Sequence, residues 1–440
     1  MSLRDGKLNT AGLRDRLRQA SPLKQSGTVY QVRGLVIEAY GPNLAIGDMC
    51  RIETREGEGL LAEVVGFSDH RMLLMPLDDM HRVAPGCAVT AEIHEGAVPV
   101  GEGLAGRIFD GMGRPVDGLR PLQYDYTHNI RRRPPAPLER KPINSVFETG
   151  IRSLDTFTPV GRGQRLGLFS GSGVGKSTLL GMLARSSEAD VTVIALIGER
   201  GREVREFIER TLSPEDLART VVIVSTSDQP AMLRLRAAYM ATSIAEHYRD
   251  AGLNVLFLMD SVTRFAMAQR EIGLSIGEPP ASRGYPPSVF SLLPRLLERT
   301  GNSAGGSITA FYTVLVEGDD MNEPIADSVR GILDGHVVLS RAIATSNIFP
   351  SVDVLESISR LGTEICSSEE LSLVGKAREL LALYRENEDL INIGAYVRNS
   401  NPRIDRAIEK REPLIEFFRQ DVRERSPREI SFKRLEEILR

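Results

Sequence analysis

Lys176, Ser177, Glu199 and Asp260 are the residues whose types and spacing could act together on a phosphate ester. The run Ser170-Gly-Ser-Gly-Val-Gly-Lys-Ser-Thr178 follows the strand-like Arg165-Leu-Gly-Leu-Phe169. It leads into a helical stretch that carries Leu179, Leu180, Met182 and Leu183. A strand, a glycine loop ending in Gly-Lys-Ser, then a helix is the context in which a loop cradles phosphate. With no Cβ on Gly171, Gly173 and Gly175, the amides of these residues and of Ser172 and Val174 between them can converge on phosphate oxygens. The helix start at Lys176, Ser177 and Thr178 adds its positive dipole end. Lys176 can reach the β- and γ-phosphates, and the Ser177 hydroxyl is placed to ligand magnesium. Ser170 stands where the strict pattern has Gly, and a small residue suits the tight loop entry.

Two acids end apolar runs of strand length. Val255-Leu-Phe-Leu-Met259 runs into Asp260, and Thr192-Val-Ile-Ala-Leu-Ile197 runs into Gly198-Glu199-Arg200. An acid at the carboxyl end of a buried parallel strand lies on the rim that carries the phosphate loop. Asp260 can then orient the magnesium ion, or simply cap the next helix. Glu199 can polarise a water beside the γ-phosphate, or form a surface ion pair with Arg200 or Arg202.

These residues need a parallel sheet to position them. Strand-length runs at Gln164–Phe169, Val191–Ile197, Thr220–Val224, Val255–Met259, Ile308–Val316 and His336–Leu339 alternate with helical stretches. That alternation predicts an α/β domain with helices on both faces of the sheet. Upstream, short β-rich pieces (Thr28–Val32, Leu35–Glu38, Met49–Ile52, Leu60–Gly66, Arg71–Pro76, Ala88–Ile93) predict a small β-barrel or sandwich. Residues 101–119 are glycine-rich, and Arg131-Arg-Arg-Pro-Pro-Ala-Pro137 reads as a linker or surface loop. From about residue 355 the pattern is helical, with Leu371, Val374, Leu380, Leu381 and Leu383 at three- and four-residue spacings. The predicted order is a partner-binding segment (1–25), a β-barrel (26–95), a phosphate-loop domain (96–350) and a C-terminal helical domain (351–440). In the first segment Leu8, Leu13 and Leu17 share one face of a short helix, which reads as a frayed arm or as a docking helix.

Composition narrows the class. Of 440 residues, 41% are hydrophobic, and the net charge of −4 argues against nucleic-acid binding through bulk positive charge. Aromatics make up 5% and Trp is absent, which disfavours a single-strand stacking platform. The early residues lack a secretory h-region, and no apolar run nears the roughly 20 residues of a membrane helix. Cys50, Cys87 and Cys366 are isolated, which fits a reducing compartment. A cytoplasmic location is expected.

Several segments carry a family signal. Ser170–Thr178, Gly198-Glu-Arg200, Leu258-Met-Asp-Ser-Val-Thr-Arg-Phe-Ala266 and Pro350-Ser-Val-Asp-Val-Leu-Glu-Ser-Ile-Ser359 resemble the hexameric rotary-type ATPases. That family includes the ATP synthase α and β subunits and the type III protein-export ATPases. Gly277-Glu-Pro-Pro-Ala-Ser-Arg-Gly-Tyr-Pro-Pro-Ser-Val-Phe290 and Glu317-Gly-Asp-Asp-Met-Asn-Glu-Pro-Ile-Ala-Asp327 look like the export ATPases of the flagellum and of related injection machines. The resemblance covers about residues 25–440. It implies a catalytic glutamate at Glu199, a magnesium-site aspartate at Asp260, and a finger at Arg360 that reaches into a neighbouring subunit. It also implies that Phe349 stacks on adenine, where relatives often have Tyr; Arg264 matches the family without a clear role.

Lys176, Glu199, Asp260 and Arg360 on one chain imply that a ring of identical copies is complete. The expected activity is magnesium-dependent ATP hydrolysis by a homohexamer that energises flagellar type III export; the ATPase of a virulence injectisome is the alternative. The implied partners are a regulatory stator-like protein at the N-terminal segment, stalk components, export chaperones and substrates, and a membrane export gate. The expected place is the cytoplasmic face of the inner membrane at the export apparatus. Two other classes fit the sequence less well. A hexameric RNA translocase needs stacking aromatics in the barrel, where only Tyr30, Tyr40 and Phe67 occur, with no basic-aromatic cluster in sequence. A regulatory ring subunit that binds ATP without hydrolysing it would lack Glu199.

Overall fold

A computed structural model describes residues 25–440 except 55, 56, 58, 93–96, 102, 121, 123, 125, 317 and 319. The segment 1–24, with its Leu8, Leu13 and Leu17 face, and the acids Glu317 and Asp319 lie outside the described residues. The chain divides into two compact units, residues 1–96 and 97–440.

In the first unit, β1 (Ser26–Arg33), β2 (Val36–Tyr40), β3 (Met49–Glu53), β4 (Gly59–Ser68), β5 (Arg71–Pro76) and β6 (Ala88–Glu92) close a barrel in the order β1-β2-β5-β4-β3-β6. Alternation along the strands sends Val29, Ile37, Ala39, Cys50, Ile52, Ala62, Val64, Leu74 and Val89 inward. Closure leaves no unpaired strand edge. The outer face corrects one sequence expectation. Tyr30 and Tyr40 meet edge to face with centroids 5.5 Å apart, and the Arg71 guanidinium lies 4.7 Å over Tyr30. A small basic-aromatic cluster therefore exists, although Arg71 also pairs with Glu38 at 2.9 Å, which offsets its charge.

The second unit opens with β7 (Ala97–Val100) and β9 (Tyr126–Asn129), a two-stranded ribbon, with β8 (Ile108–Asp110) between them in sequence. The main sheet is built from β8, β10 (Arg165–Ser170), β11 (Val191–Glu199), β12 (Thr220–Thr226), β13 (Asn254–Asp260), β14 (Gly301–Asn302), β15 (Ser307–Leu315), β16 (Gly335–Leu339) and β17 (Ile358–Ser359). Its order is β17-β16-β10-β15-β13-β11-β12-β8, with β14 paired to β15. The six strands expected from the sequence all lie in this sheet. Their central members are buried on both faces, as Val191–Gly198 shows without a break.

Helices cover those faces: α1 (Arg152–Phe157), α2 (Lys176–Ser186), α3 (Gly201–Thr211), α4 (Pro214–Ala218), α5 (Ala231–Asp250), α6 (Val262–Ser275), α7 (Pro287–Leu297), α8 (Pro324–Ile332) and α9 (Arg341–Thr345). The chain ends in α10 (Gly362–Ile365), α11 (Ser368–Asn392), α12 (Pro402–Phe418) and α13 (Arg428–Leu439). Residues 351–359, grouped by sequence with these last helices, return to the sheet at two points. Leu339 bridges Val352, and β17 pairs antiparallel with β16 through Gly335–Ser359 and His336–Ile358.

The helical region is held to the sheet by guanidinium groups at its seam. Arg152, 3% exposed, donates through Nε to the Phe417 carbonyl at 2.8 Å and also bonds the Arg419 carbonyl and the Glu424 carboxylate. It thereby satisfies carbonyls that α12 leaves open at its C-terminus. Arg378 donates to the carbonyls of Phe157 (2.8 Å) and Ser357 (3.1 Å), and Arg385 forks onto Asp353 at 2.9 Å. Arg152→Ala strands the buried Phe417 carbonyl and removes the donor shared by Arg419 and Glu424. It is expected to lower unfolding stability by about 2–4 kcal/mol and to speed amide exchange in residues 402–439 first. Denaturant titration with hydrogen exchange checks this, and an unchanged midpoint would contradict it.

Candidate active site at the carboxyl ends of the strands

β10 ends at Ser170, whose carbonyl accepts from the Val316 N–H at 3.0 Å, and the chain then turns through the glycine loop into α2. Gly175 has φ +93°, a left-handed conformation that favours glycine, and it caps α2. A Cβ there would lie 3.5 Å from the Phe349 ring. The loop is pinned from behind by the Ser351 hydroxyl, which donates to the Val174 carbonyl at 2.6 Å. Phe349 is 37% exposed, and its carbonyl accepts from the buried Gln420 N–H at 2.9 Å. The loop and an exposed aromatic face are thus held side by side.

β11 and β13 are parallel neighbours, so Glu199 and Asp260 emerge on the same rim. Lys176 bridges them: its Nζ lies 2.5 Å from Asp260 Oδ1 and 3.3 Å from Glu199 Oε1. Asp260 is 3% exposed and also accepts from the Thr313 hydroxyl at 2.7 Å. Burial disfavours the Lys176 ammonium, but Asp260 and Glu199 outweigh it and hold its pKa above the usual lysine range. Burial, and next the Asp260 charge, push Glu199 up to about 7, against the pull of Lys176. A hydrogen bond shared with Glu203, in the first turn of α3, adds to the rise. The flanking arginines are engaged elsewhere, Arg200 with Glu203 at 3.5 Å and Arg202 with Glu206 at 2.9 Å.

Arg264, in the first turn of α6, crosses the same region. Gly198 has φ +70°, and a Cβ on it would sit 2.8 Å from the Arg264 Cβ. Glycine is therefore required just before Glu199. The Arg264 Nε is buried with no hydrogen-bond partner among the described residues. Ser177 is exposed in the first turn of α2, beside Lys176. Its hydroxyl and the Asp260 carboxylate are hard oxygen donors of the kind magnesium takes, so the residues fit that ion.

Arg360 is not brought to this cluster. Its backbone N–H donates to the Asp334 carbonyl at 3.1 Å, level with Arg165 at the start of β10. Ser170 is five residues further along that strand, about 16 Å at the usual rise per residue. The Arg360 side chain is exposed and makes one hydrogen bond, from Nη2 to the Arg330 carbonyl at 3.1 Å.

Thr313, Glu203, Ser351 and Gln420 were not singled out from sequence. Thr313 and Gln420 are single polar residues with no local pattern, Ser351 lies inside the signature Pro350–Ser359 with nothing in it that marks this hydroxyl, and the contacts appear only in the fold.

Comparison with known proteins identifies the family and the fold. The profile of the ATP synthase alpha/beta family nucleotide-binding domain matches residues 150–359, and that of the family's beta-barrel domain matches 29–92. The T3SS EscN ATPase C-terminal domain matches 366–437. The flagellum-specific ATP synthase of Bacillus subtilis is 53% identical over 95% of this chain and 96% of its own length. The chain belongs to the ATP synthase alpha/beta family. Other members are similar over nearly the whole chain. The flagellum-specific ATP synthase of Salmonella typhimurium is 48% identical, covering 94% of each chain. The type 3 secretion system ATPase of Xanthomonas euvesicatoria is 48% identical, covering 90% of each. The assembled ATPase EscN of the enteropathogenic E. coli type III secretion system superposes with a TM-score of 0.90 at 42% identity, covering 94% of this chain and 100% of EscN. Like those relatives, the chain is an ATPase.

Proposed function

We propose that this chain forms a homohexameric, magnesium-dependent ATPase that energises type III export of flagellar proteins. The observation that carries the reading is the bridge of Lys176 to Glu199 and Asp260 on one rim, with the Arg360 backbone seated level with the start of β10, about 16 Å down that strand from Ser170. One copy has every group the reaction needs but cannot bring them together, whereas a head-to-tail ring of identical copies can. In that ring the amides of Gly171–Gly175 and the side chain of Lys176 grip the triphosphate, with Thr178 in the same helix start. Phe349 offers its ring to adenine. Ionised Glu199 accepts a hydrogen bond from the attacking water and aligns it with the γ-phosphorus. The water oxygen bonds to that phosphorus as the bond from it to the bridging oxygen breaks, and Glu199 takes the water's proton, leaving ADP and phosphate. Arg360 of the adjacent copy offsets charge on the γ-phosphoryl oxygens. Ser177 and Asp260 would hold magnesium, which, when bound, neutralises phosphate charge.

The flagellar assignment is supported by the flagellum-specific relatives from several bacteria. Assembly of several copies and a stalk partner are supported by the assembled EscN and by its complex with the central stalk EscO, which superposes with a TM-score of 0.87. A stator-like regulator at residues 1–25, export chaperones and substrates, and an export gate complete the proposed set of partners. The proposed place is peripheral to the inner membrane; no described helix is long and apolar enough to cross it. Deleting the gene in its host tests the assignment. Loss of filament assembly is expected, restored by the wild-type chain. Intact motility with lost effector secretion would instead make it the ATPase of an injectisome, as its likeness to the Xanthomonas enzyme allows.

A further inference from the structure

We propose that Gln164 is a positioning residue for Arg360, fixing the backbone from which that guanidinium reaches the next copy. The inference rests on the reading that Arg360 serves a neighbour's site.

Gln164 is fully buried and lies immediately before β10. Its Oε1 accepts from the Gly161 N–H at 2.7 Å. Its Nε2 donates to the Asp334 carbonyl at 2.9 Å and to the Ser359 hydroxyl at 3.1 Å. Both acceptors bear on Arg360. The Asp334 carbonyl also takes the Arg360 backbone N–H, and Ser359 is the residue just before Arg360. One amide thus ties the end of β17 to the residue just before β16.

The anchor is rigid for two reasons. β10 is hydrogen-bonded to β15 on one side and β16 on the other. The next residue, Arg165, forks onto the Asp334 carboxylate at 2.9 and 3.1 Å, so Asp334 is held at both its backbone and its side chain. Arg360 itself has little else to aim it. β17 is two residues long, Ile358 is half exposed, and among the described residues the side chain has its single bond to the Arg330 carbonyl. The direction of the finger is therefore set by its backbone, and the backbone is set by Gln164 and Asp334. A displacement of about 1 Å in a catalytic group can cost about 10²-fold in rate.

The plainer reading is that Gln164 only satisfies buried polar groups, as buried amides must. The two readings differ in which copy of a mixed ring feels the change. Lys176→Ala copies keep the finger and lose the phosphate grip; Arg360→Ala copies do the reverse. Mixed, they are expected to regain ATP turnover that neither shows alone, at interfaces where a Lys176→Ala copy lends Arg360. Gln164→Met added to the Lys176→Ala copy, which lends the finger, is expected to lower the regained turnover by about 10–100-fold. The same change on the Arg360→Ala copy, which binds the ATP, is expected to leave it within about threefold, since the seat is about 16 Å from the phosphate loop. Ser359→Ala removes one of the two anchoring bonds on a half-buried edge strand; it guards against misfolding and is expected to show the same asymmetry at smaller size. Equal losses from either copy, or a loss confined to the ATP-binding copy, would overturn the role of Gln164. Failure of the starting mixture to regain any turnover would overturn the borrowed finger, and this inference with it, before Gln164 is changed.

Discussion

Glu199→Gln is expected to lower ATP turnover by about 10²–10⁴-fold while ATP affinity stays within a few-fold. The amide has the shape of the carboxylate and keeps an oxygen for Lys176, now 3.3 Å from Oε1. It lacks the charge that draws a proton from water. The substitution also removes repulsion against Asp260, the neighbour whose charge, after burial, does most to push Glu199 up to about 7. Ground-state binding therefore has no reason to weaken, and the loss should sit in kcat. Equilibrium binding of a fluorescent nucleotide alongside steady-state turnover separates the two. Turnover within threefold of wild type would remove Glu199 from the reaction.

The same residue sets a pH signature. A carboxyl held up to about 7 is protonated below that pH and cannot take a proton from water. The kcat/KM of the wild-type chain should accordingly rise with pH and level off above about 7, as a free-enzyme base with that pKa requires. The sign for folding is opposite. A carboxyl whose folded pKa lies above its ordinary 4.5 contributes stability at low pH that fades as pH climbs toward 7. Activity and this part of stability therefore move in opposite directions across the same window.

Which parts of this arrangement were legible beforehand follows from how each residue announces itself. Val191–Ile197 and Val255–Met259 are unbroken apolar runs, a pattern that a sheet covered on both faces requires, so the strands and the acids after them could be read directly. The phosphate loop is a dense local motif and needs no tertiary information. β8 is three residues inside a glycine-rich stretch, and β17 is two residues with an exposed Ile358; both are strands because of what lies beside them, not because of their own pattern. Thr313 looks like any β-branched strand residue until Asp260 is found 2.7 Å away. Tyr30, Tyr40 and Arg71 are scattered along the chain, and barrel closure gathers them. Local chemistry was visible in the sequence, while partners supplied from distant strands were not.

Arg360→Ala is expected to lower turnover by about 10³–10⁵-fold, the usual worth of a finger that meets a transferring phosphoryl group. Nucleotide affinity should be nearly unchanged, because the chain's own phosphate loop is about 16 Å from the finger's seat along the strands. Stability should shift by less than about 0.5 kcal/mol, since the side chain is exposed and gives up one hydrogen bond to the Arg330 carbonyl. Arg360→Lys should not rescue it. An ammonium on a flexible stem is a point charge, whereas the planar guanidinium can bond two phosphoryl oxygens at once. Because the group acts on another copy, wild-type turnover per chain should rise with protein concentration until rings are formed, while Arg360→Ala stays flat and low. Concentration series with sizing by light scattering measure this. A wild-type monomer as active per chain as the ring, or an Arg360→Ala chain within tenfold of wild type, would mean that each copy completes its own site, by a route the separation of Arg360 from Lys176 does not provide.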